Sequence, residues 1–331
     1  MNDILEQSNN NKMSAQVPVL LILFNRSDNA SQLIDALRLV KPREIYVNID
    51  GPRTGNEKDR IEVALCKELV AKIDWECIIS KQYHEKNLGC KHSVVSAIDW
   101  FFSNVDEGII LEDDCIPSAS FFAFSAQMLT KYRDDNRVMQ ISGSNYVTMD
   151  SEPLETYYYS ALNDIWGWAT WKRAWSKFSL DMKGLDEFLN KGLLDIYVGN
   201  SEISSWLRAY LLAANDPSST TWSSQWFYTM AKQFAFTIVP PKNLVRNIGF
   251  LGEGTTHSSS SRLRIYSSIM AEEIDHLKAP SFFSPNRELD RVRFDLIKKT
   301  DPAFSWSSIL KAVLRKFIPD IILKLRKKLK S

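Results

Sequence analysis

The stretch Ile109-Ile110-Leu111-Glu112-Asp113-Asp114-Cys115 is an apolar run that ends in three consecutive acidic residues. Such a run predicts a buried β-strand. Carboxylates cannot pass through a hydrophobic core, so we expect the acids at the carboxyl end of the strand, where α/β folds bind ligands. Adjacent carboxylates repel one another, and a divalent cation is the simplest compensation. Oxygen ligands favour Mg²⁺ or Mn²⁺. A solvated acidic turn is the alternative, but the helix start at Pro117-Ser118 argues against it.

Outward from this stretch, the first half of the chain alternates strands with helices. Strands are predicted at 17–24, 44–49, 75–79, 109–112 and 138–141, and helices at 27–39, 57–71, 91–102 and 118–132. The second helix is expected to carry Ile61, Ala64, Leu65 and Leu69 on one face. This alternation predicts an α/β fold with a mostly parallel sheet flanked by helices.

The second half holds eight of the ten tryptophans. Helices are predicted near 169–176, 183–191, 202–215 and 224–234, and a last strand at 236–239. A polar loop rich in Gly, Ser and Thr follows, from Asn247 to Ser261. Loops of this length are often functional, so we expect a flap over a site.

Composition restricts the class of protein. A chain of 331 residues with 44% hydrophobic content can bury a large core, and its net charge of +1 gives no reason to expect a nucleic-acid partner. The four cysteines lack metal-ligand spacing, which favours reduced core thiols and a cytoplasmic protein: Cys66, Cys77, Cys90 and Cys115. The polar N-terminus does not read as a signal peptide, and no apolar stretch reaches the roughly 18 residues of a membrane span.

The C-terminus differs from the rest of the chain. Apolar residues recur at helical spacing from Ser307 to Lys330, and residues 311–331 contain eight Lys or Arg against one Asp. This pattern predicts a basic amphipathic helix on an anionic membrane surface. The alternative is a helix packed on the body with a solvated lysine face. We predict a tail at 1–15, a domain at 16–300 with nucleotide-sugar and acceptor halves at 16–145 and 146–300, and the basic tail at 301–331.

Six motifs in order resemble the nucleotide-sugar-dependent glycosyltransferases of the GT-A type. The resemblance is closest to a bacterial group sometimes described as haemolysin-like, which is distantly similar to N-acetylglucosaminyltransferase I. The motifs span about residues 17 to 257: Pro18-Val19-Leu20-Leu21-Ile22-Leu23-Phe24-Asn25-Arg26, Asp50-Gly51-Pro52-Arg53, Asn87-Leu88-Gly89-Cys90, Leu111-Glu112-Asp113-Asp114, Trp166-Gly167-Trp168-Ala169-Thr170-Trp171, and Asn243-Leu244-Val245-Arg246-Asn247-Ile248-Gly249-Phe250 followed by Thr256-His257.

The resemblance implies a GT-A fold, a nucleotide-diphosphate sugar donor, UDP-linked in the first instance, and Mn²⁺ or Mg²⁺. Transferred to this sequence, it makes Asp114 a metal ligand, puts Asp113 near the ribose and sugar, and lets Glu112 orient the loop. His257 becomes a second metal or phosphate ligand. Further donor-binding positions are Asn25, Arg26, Asp50 and Arg53. A helix that starts near Ser27 adds amide donors for an anion.

The acceptor side is less determined. Trp168 is either core or sugar-facing, and Gly167 between two tryptophans indicates a close backbone approach. Gln225 is a second candidate for contact with the sugar or acceptor. In the family, inverting transfer uses an acid beside a tryptophan before a helix as its base. The matching segment, Trp222-Ser223-Ser224-Gln225-Trp226, has no acid, so Asp164 and Glu253 are the nearest substitutes.

The favoured function is a glycosyltransferase, hexosyl or N-acetylhexosaminyl, that extends a glycan or lipid-linked acceptor in bacterial surface polysaccharide synthesis. Its expected place is the inner face of the cytoplasmic membrane, as a peripheral protein. One alternative is a nucleotidyltransferase or sugar-nucleotide pyrophosphorylase, although those carry a Gly-rich basic loop where this chain has Asn25-Arg26-Ser27-Asp28. Another is a non-catalytic nucleotide-sugar-binding protein of the same fold.

Overall fold

The computed structural model describes residues 15–147, 156–250, 264–274 and 277–300. Its strands are β1 (Val19–Leu23), β2 (Glu44–Ile49), β3 (Ile78–Tyr83), β4 (Glu107–Glu112), β5 (Cys115–Pro117), β6 (Val138–Ser142), β7 (Tyr158–Ser160), β8 (Trp168–Trp171), β9 (Phe236–Val239) and β10 (Val245–Asn247). Within this described part, eight strands form one sheet in the order β3-β2-β1-β4-β8-β6-β9-β7, and β10 pairs with β5 in a small second sheet.

The first four strands set the position of the acid triplet. β1 pairs in parallel with β2 on one side and β4 on the other, so Leu23 faces Ile49 and Ile22 faces Glu112. The backbone N–H of Asp50 continues this ladder by donating to the carbonyl of Leu23 at 3.1 Å. Because parallel strands end at the same edge of a sheet, the chain segments that follow these strands meet there.

The other half of the sheet is mixed. β8 is antiparallel to both β4 and β6, β9 is parallel to β6, and β7 is antiparallel to β9. Every residue of β1 is buried, as expected for a strand covered on both faces. The predicted fold class, an α/β fold with a mostly parallel sheet flanked by helices, is therefore confirmed.

Helices cover the faces of this sheet. They are α1 (Ser27–Leu37), α2 (Glu57–Ala71), α3 (Cys90–Asn104), α4 (Ala119–Lys131), α5 (Lys172–Trp175), α6 (Leu185–Asn190), α7 (Leu193–Val198), α8 (Ser201–Ala214), α9 (Ser223–Lys232), α10 (Arg264–Ser268) and α11 (Arg287–Thr300). α11 is fixed to the sheet by a buried polar contact, in which Asp290 accepts from the hydroxyl of Ser160 and the N–H of Ala161.

Two predicted elements were misplaced. The strand predicted at 75–79 is β3, three residues later, and Trp75 instead donates through its indole to the carbonyl of Pro42 at 3.1 Å. The helix predicted near 169–176 begins only at Lys172, because Trp168–Trp171 forms β8 between β4 and β6. Pairing with two neighbours overrides the local helical signal here.

The predicted apolar face of α2 is not its buried face. Ile61 and Leu65 are 49% and 39% exposed, whereas Val63, Cys66 and Val70 are buried. Asp59 is buried as well, because Arg53 and Asn25 bind its carboxylate. This polar anchor fixes the rotation of the helix, so α2 turns a different side to the sheet than hydrophobic periodicity predicts.

None of the helices in the described ranges is long and apolar enough to cross a membrane. The predicted basic tail at 301–331 lies outside the described residues, as do residues 1–14, most of the predicted flap, and both Glu253 and His257.

Candidate active site

The acid triplet lies at the carboxyl end of β4, as the sequence predicts. Glu112 is the last residue of the strand, and the chain then turns directly into β5. Asp113 is almost completely buried, with 3% of its side chain exposed, and Asp114 retains 16%. The triplet thus presents one inward carboxylate and two that reach the edge of the sheet.

β10 brings a second segment against Asp114. Asn247 pairs with Cys115, and the N–H of Ile248 donates to the carbonyl of Asp114 at 2.8 Å. A Cβ at position 249 would lie 2.4 Å from Oδ2 of Asp114. A larger residue at Gly249 would push the Asp114 carboxylate aside, so the loop that follows β10 begins in contact with the acids.

The charge on the triplet is compensated by an arginine, where the sequence led us to expect a metal. Arg26, directly after β1, donates from Nε to Oδ2 of Asp113 at 3.2 Å and from Nη2 to the other oxygen of that carboxylate. Its Nη1 donates to Oδ2 of Asp114 at 3.0 Å. One guanidinium therefore binds two of the three acids, and Arg26 remains 32% exposed on the outer side.

The compensation is incomplete. The carboxylate of Glu112 accepts no hydrogen bond from the described residues, and burial, with repulsion from Asp114 and Asp113, raises its pKa to about 8. Burial also raises the pKa of Asp113 to about 6, although Arg26 acts in the opposite direction. Three carboxylates against one guanidinium leave an excess of negative charge, which a proton or a further cation can neutralise.

A divalent cation fits this donor set only in part. Carboxylate oxygens are the ligands that Mg²⁺ and Mn²⁺ prefer, and Asp114 and Glu112 are the two that reach the edge of the sheet. Within the described residues, however, no group of three or more His, Cys, Asp or Glu side chains converges on one point. The predicted ligand His257 lies outside those residues.

Asn25 and Arg53, both predicted to bind a donor, share one buried partner. Asn25 donates to Oδ1 of Asp59 at 2.7 Å, and Arg53 donates to both oxygens of the same carboxylate at 2.5 and 2.8 Å. The hydrogen bonds from Arg53 lower the pKa of Asp59 to about 2. Sequence reasoning missed Asp59, although Asn56 three residues before it is a recognisable N-cap, whose side chain accepts from the Asp59 N–H.

Asp50, predicted to contact the donor, is buried and binds the protein itself. Its Oδ1 accepts from the N–H groups of Gly51 and Leu88, and its Oδ2 accepts from the amide of Asn87, all at 2.9 Å. Asp50 thereby fixes the loop that leads from β3 to α3. At the start of α1, the Ser27 N–H donates to the carboxylate of Glu62 at 3.0 Å. This is the backbone amide that was expected to bind an anion of the donor, and a side chain of the protein binds it instead.

The predicted sugar-facing side chains belong to the core. Trp168 is 1% exposed and packs against Trp175, Trp222 and Trp226 at ring-centroid distances of 5.6 to 6.4 Å. Gln225, on the first turn of α9, is also buried. Both side chains are buried, so neither is accessible to a ligand.

Trp166, two residues earlier, lies in a different environment. It is partly exposed and contacts the rings of Tyr146, Tyr266 and Phe250 at 5.7, 5.2 and 5.3 Å. Phe250 follows Gly249, so this aromatic group adjoins Asp114.

Gly167 makes this arrangement possible. Its φ is +70°, and a Cβ there would come within 2.9 Å of Val245. The predicted close backbone approach at this glycine is confirmed.

Asp164, a candidate base, is engaged by an ion pair. Arg293 of α11 donates to its Oδ2 at 2.5 Å and to the carbonyl of Asn163 at 2.9 Å. Burial raises the pKa of Asp164, an effect that Arg293 opposes. This ion pair joins α11 to the segment before Trp166.

No protein-family model matches this chain, and no curated protein matches it. Among solved structures it is similar to the mannosyltransferase PcManGT from Pyrobaculum calidifontis in complex with GDP-Man and Mn²⁺. The identity is 13% and the TM-score 0.42, over 95% of this chain and 80% of that chain.

Proposed function

We propose that this chain is a glycosyltransferase that moves a sugar from a nucleoside-diphosphate donor to a hydroxyl of a glycan or lipid-linked acceptor, with the help of a divalent cation. The observation that carries the proposal is the acid triplet at the carboxyl end of a buried parallel strand, with two carboxylates at the sheet edge and one of them without a hydrogen-bond partner in the described residues. Glu112 is partly exposed, so its carboxylate can reach a ligand at this edge, and carboxylates with a raised pKa concentrate at functional sites.

The cation would be held by Asp114 and Glu112, with His257 as a further proposed ligand. Asp113 would stay with Arg26, because that carboxylate is buried and bound by two nitrogens of the guanidinium. When bound, Mn²⁺ or Mg²⁺ supplies a Lewis acid that neutralises the charge developing on the leaving diphosphate.

The donor would lie along the edge formed by β1, β2 and β4. Arg26 and Arg53 are 32% and 57% exposed at that edge, and their positive charges attract phosphate oxygens. Asn25 and Asp50, whose polar atoms bind other residues, would act by holding the surrounding loops in place. A UDP-sugar is the donor we test first.

The sugar ring would be received by Trp166 instead of Trp168. Trp166 is partly exposed and adjoins Asp114 through Phe250 and Gly249, whereas Trp168 is buried. Pyranose C–H groups pack on aromatic faces, and the indole N–H can donate to a hydroxyl. The base that takes the acceptor proton would be Glu253, because the carboxylate of Asp164 is held by Arg293.

We further propose a role in bacterial surface polysaccharide synthesis at the inner face of the cytoplasmic membrane. The basic residues of 311–331 support it, since a lipid-linked acceptor and a membrane-binding tail would place substrate and enzyme on one surface.

Calorimetric titration of UDP in the presence of Mn²⁺, followed by a donor-hydrolysis panel across sugar nucleotides, tests the proposal. Asp114→Ala should abolish Mn²⁺-dependent nucleotide binding and leave the fold intact by circular dichroism. Asp35→Ala is the matched control, because Asp35 is an exposed, arginine-paired acid on α1. Unchanged affinity in a folded Asp114 variant, or no turnover with any sugar nucleotide, refutes the proposal.

A further inference from the structure

Arg26 binds the acid triplet in an unequal way. Two of its nitrogens, Nε and Nη2, form a fork on the carboxylate of Asp113, and the third, Nη1, makes a single contact with Asp114. The fork is on a buried carboxylate, whereas the single contact is on a carboxylate that is 16% exposed. The guanidinium is thus anchored at one end and replaceable at the other.

We propose that Arg26 is a built-in counter-ion that competes with the divalent cation for Asp114 and thereby couples cation binding to donor binding. This inference rests on the function proposed above. Nη1 occupies Oδ2 of Asp114, so a cation that binds this carboxylate would meet the guanidinium on one of its two oxygens, while the other accepts only from the Cys115 thiol at 3.5 Å. A cation bound at Oδ2 would displace Nη1, and that nitrogen would then be free to donate to the diphosphate.

Charge supports this competition. A guanidinium and a divalent cation on the same carboxylate repel each other, so binding of the cation is opposed as long as Nη1 stays. The fork on Asp113 keeps Arg26 from leaving altogether, because a buried carboxylate without its partner is strongly unfavourable. The result is a short displacement about a fixed anchor, which gives the donor phosphate a hydrogen-bond donor only after the cation has arrived.

A purely structural salt bridge predicts something different. If Arg26 only stabilises the fold, its removal weakens or leaves unchanged the binding of cation and nucleotide alike. Competition followed by transfer predicts opposite signs: Mn²⁺ alone binds more tightly without Arg26, and UDP in the presence of Mn²⁺ binds less tightly. The opposite signs distinguish the two roles.

The experiment compares the full chain with Arg26→Gln and Arg26→Lys. Binding of Mn²⁺ without nucleotide is followed by electron paramagnetic resonance of the free ion, and UDP binding at saturating Mn²⁺ by calorimetry. For Arg26→Gln we expect Mn²⁺ affinity to rise about tenfold, since a repelling unit charge within a few ångströms is removed. UDP affinity should fall by about tenfold with loss of one charged hydrogen bond. Arg26→Lys keeps the charge without the fork and should fall between.

Arg38→Gln is the matched control. Arg38 lies at the other end of α1 and also binds two carboxylates, Asp35 and Asp74, but it is remote from the triplet. Its removal should change neither affinity. Folding of all variants is checked by circular dichroism, and the lysine variant carries the test if the glutamine variant does not fold.

Equal or weaker Mn²⁺ binding in folded Arg26 variants overturns the inference, and so does the absence of Mn²⁺ binding in the unaltered chain. If Mn²⁺ affinity rises and UDP affinity falls in the Arg26 variants, but the chain turns over no sugar nucleotide, the coupling stands and only the glycosyltransferase is refuted. Turnover of a sugar nucleotide, together with Mn²⁺ and UDP affinities that change in the same direction, would support the glycosyltransferase and refute the coupling.

Discussion

Replacement of Glu112 by glutamine should stabilise the metal-free protein, and increasingly so as the pH rises. Glutamine keeps the size and polarity of the side chain and removes its charge. In the folded protein, burial and the neighbouring Asp114 and Asp113 raise the pKa of Glu112 from 4.5 to about 8. The folded state therefore holds a proton on this carboxyl that the unfolded state has lost.

The sign follows from proton linkage. Between the unfolded value near 4.5 and the folded value near 8, the folded state binds more protons, so the free energy of unfolding falls as the pH rises. A shift of this size corresponds to at most about 5 kcal/mol, at roughly 1.4 kcal/mol per pKa unit. Glu112 keeps some exposure and solvent screens its charge, so we expect about 2 kcal/mol, which is about 3 °C in Tm for a chain of this length.

The assay is thermal unfolding in a chelating buffer from about pH 5 to about pH 8.5, the window in which linkage acts. At the acid end the two proteins should melt together, and at the alkaline end Glu112→Gln should melt higher. Glu62→Gln serves as a control of opposite sign, because hydrogen bonds from Ser27 lower the pKa of Glu62, and its removal should cost stability above that pKa. A constant difference between Glu112→Gln and the unaltered chain across the range would refute the electrostatic reasoning.

Three further predictions concern the proposed subsites. Trp166→Ala should weaken use of the sugar substrate about tenfold, the equivalent of about 1.4 kcal/mol, with unchanged Mn²⁺ affinity, as steady-state kinetics and calorimetry will show; equal kinetics would place the sugar elsewhere. The loop 247–261 should become protected from limited proteolysis by UDP and Mn²⁺, and His257→Ala should lower that protection; cleavage indifferent to ligand contradicts the flap. Truncation after Pro302 should release the protein from anionic vesicles at low salt and leave donor hydrolysis intact; equal pelleting of both forms would return the tail to ordinary packing.

The central strands and the acid triplet were predictable because a single local signal determines each of them. A short unbroken apolar run bounded by turn signals favours a strand buried on both faces, and the carboxylates that end it are then expected at its tip. The same reasoning placed Asp50 at the end of β2 and the segment Asn25-Arg26 after β1. Parallel pairing then brought all three ends to one edge.

Two tryptophans of the same motif show that local sequence patterns do not predict which side chain is buried. Trp166 and Trp168 stand two residues apart in one motif, and composition gives no reason to separate them. The structure separates them because β8 inserts between β4 and β6, which turns Trp168 into the core, while Gly167 at positive φ leaves Trp166 at the edge. A strand inserted between two distant neighbours is a non-local event, and periodicity cannot detect it.

The partners of the polar side chains could not be predicted from the sequence either. Arg26 is separated from Asp113 by 87 positions, Asn25 from Asp59 by 34, and Asp164 from Arg293 by 129. The residue types predicted polar contacts at these positions, but which acid meets which base depends on the assembled fold.

The acids at this edge differ in whether the protein itself supplies hydrogen-bond donors to their carboxylates. Asp50 accepts three hydrogen bonds and Asp59 accepts from Arg53, Asn25 and a backbone amide, so both are explained by the loops and the helix they hold. Glu112 has no such partner in the described residues, and Asp114 has mainly the single nitrogen of Arg26. Both carboxylates are partly exposed, so they remain accessible to a proton or a cation. Removing a satisfied acid should therefore unfold a loop, whereas removing Glu112 should stabilise the metal-free fold and impair only what binds there.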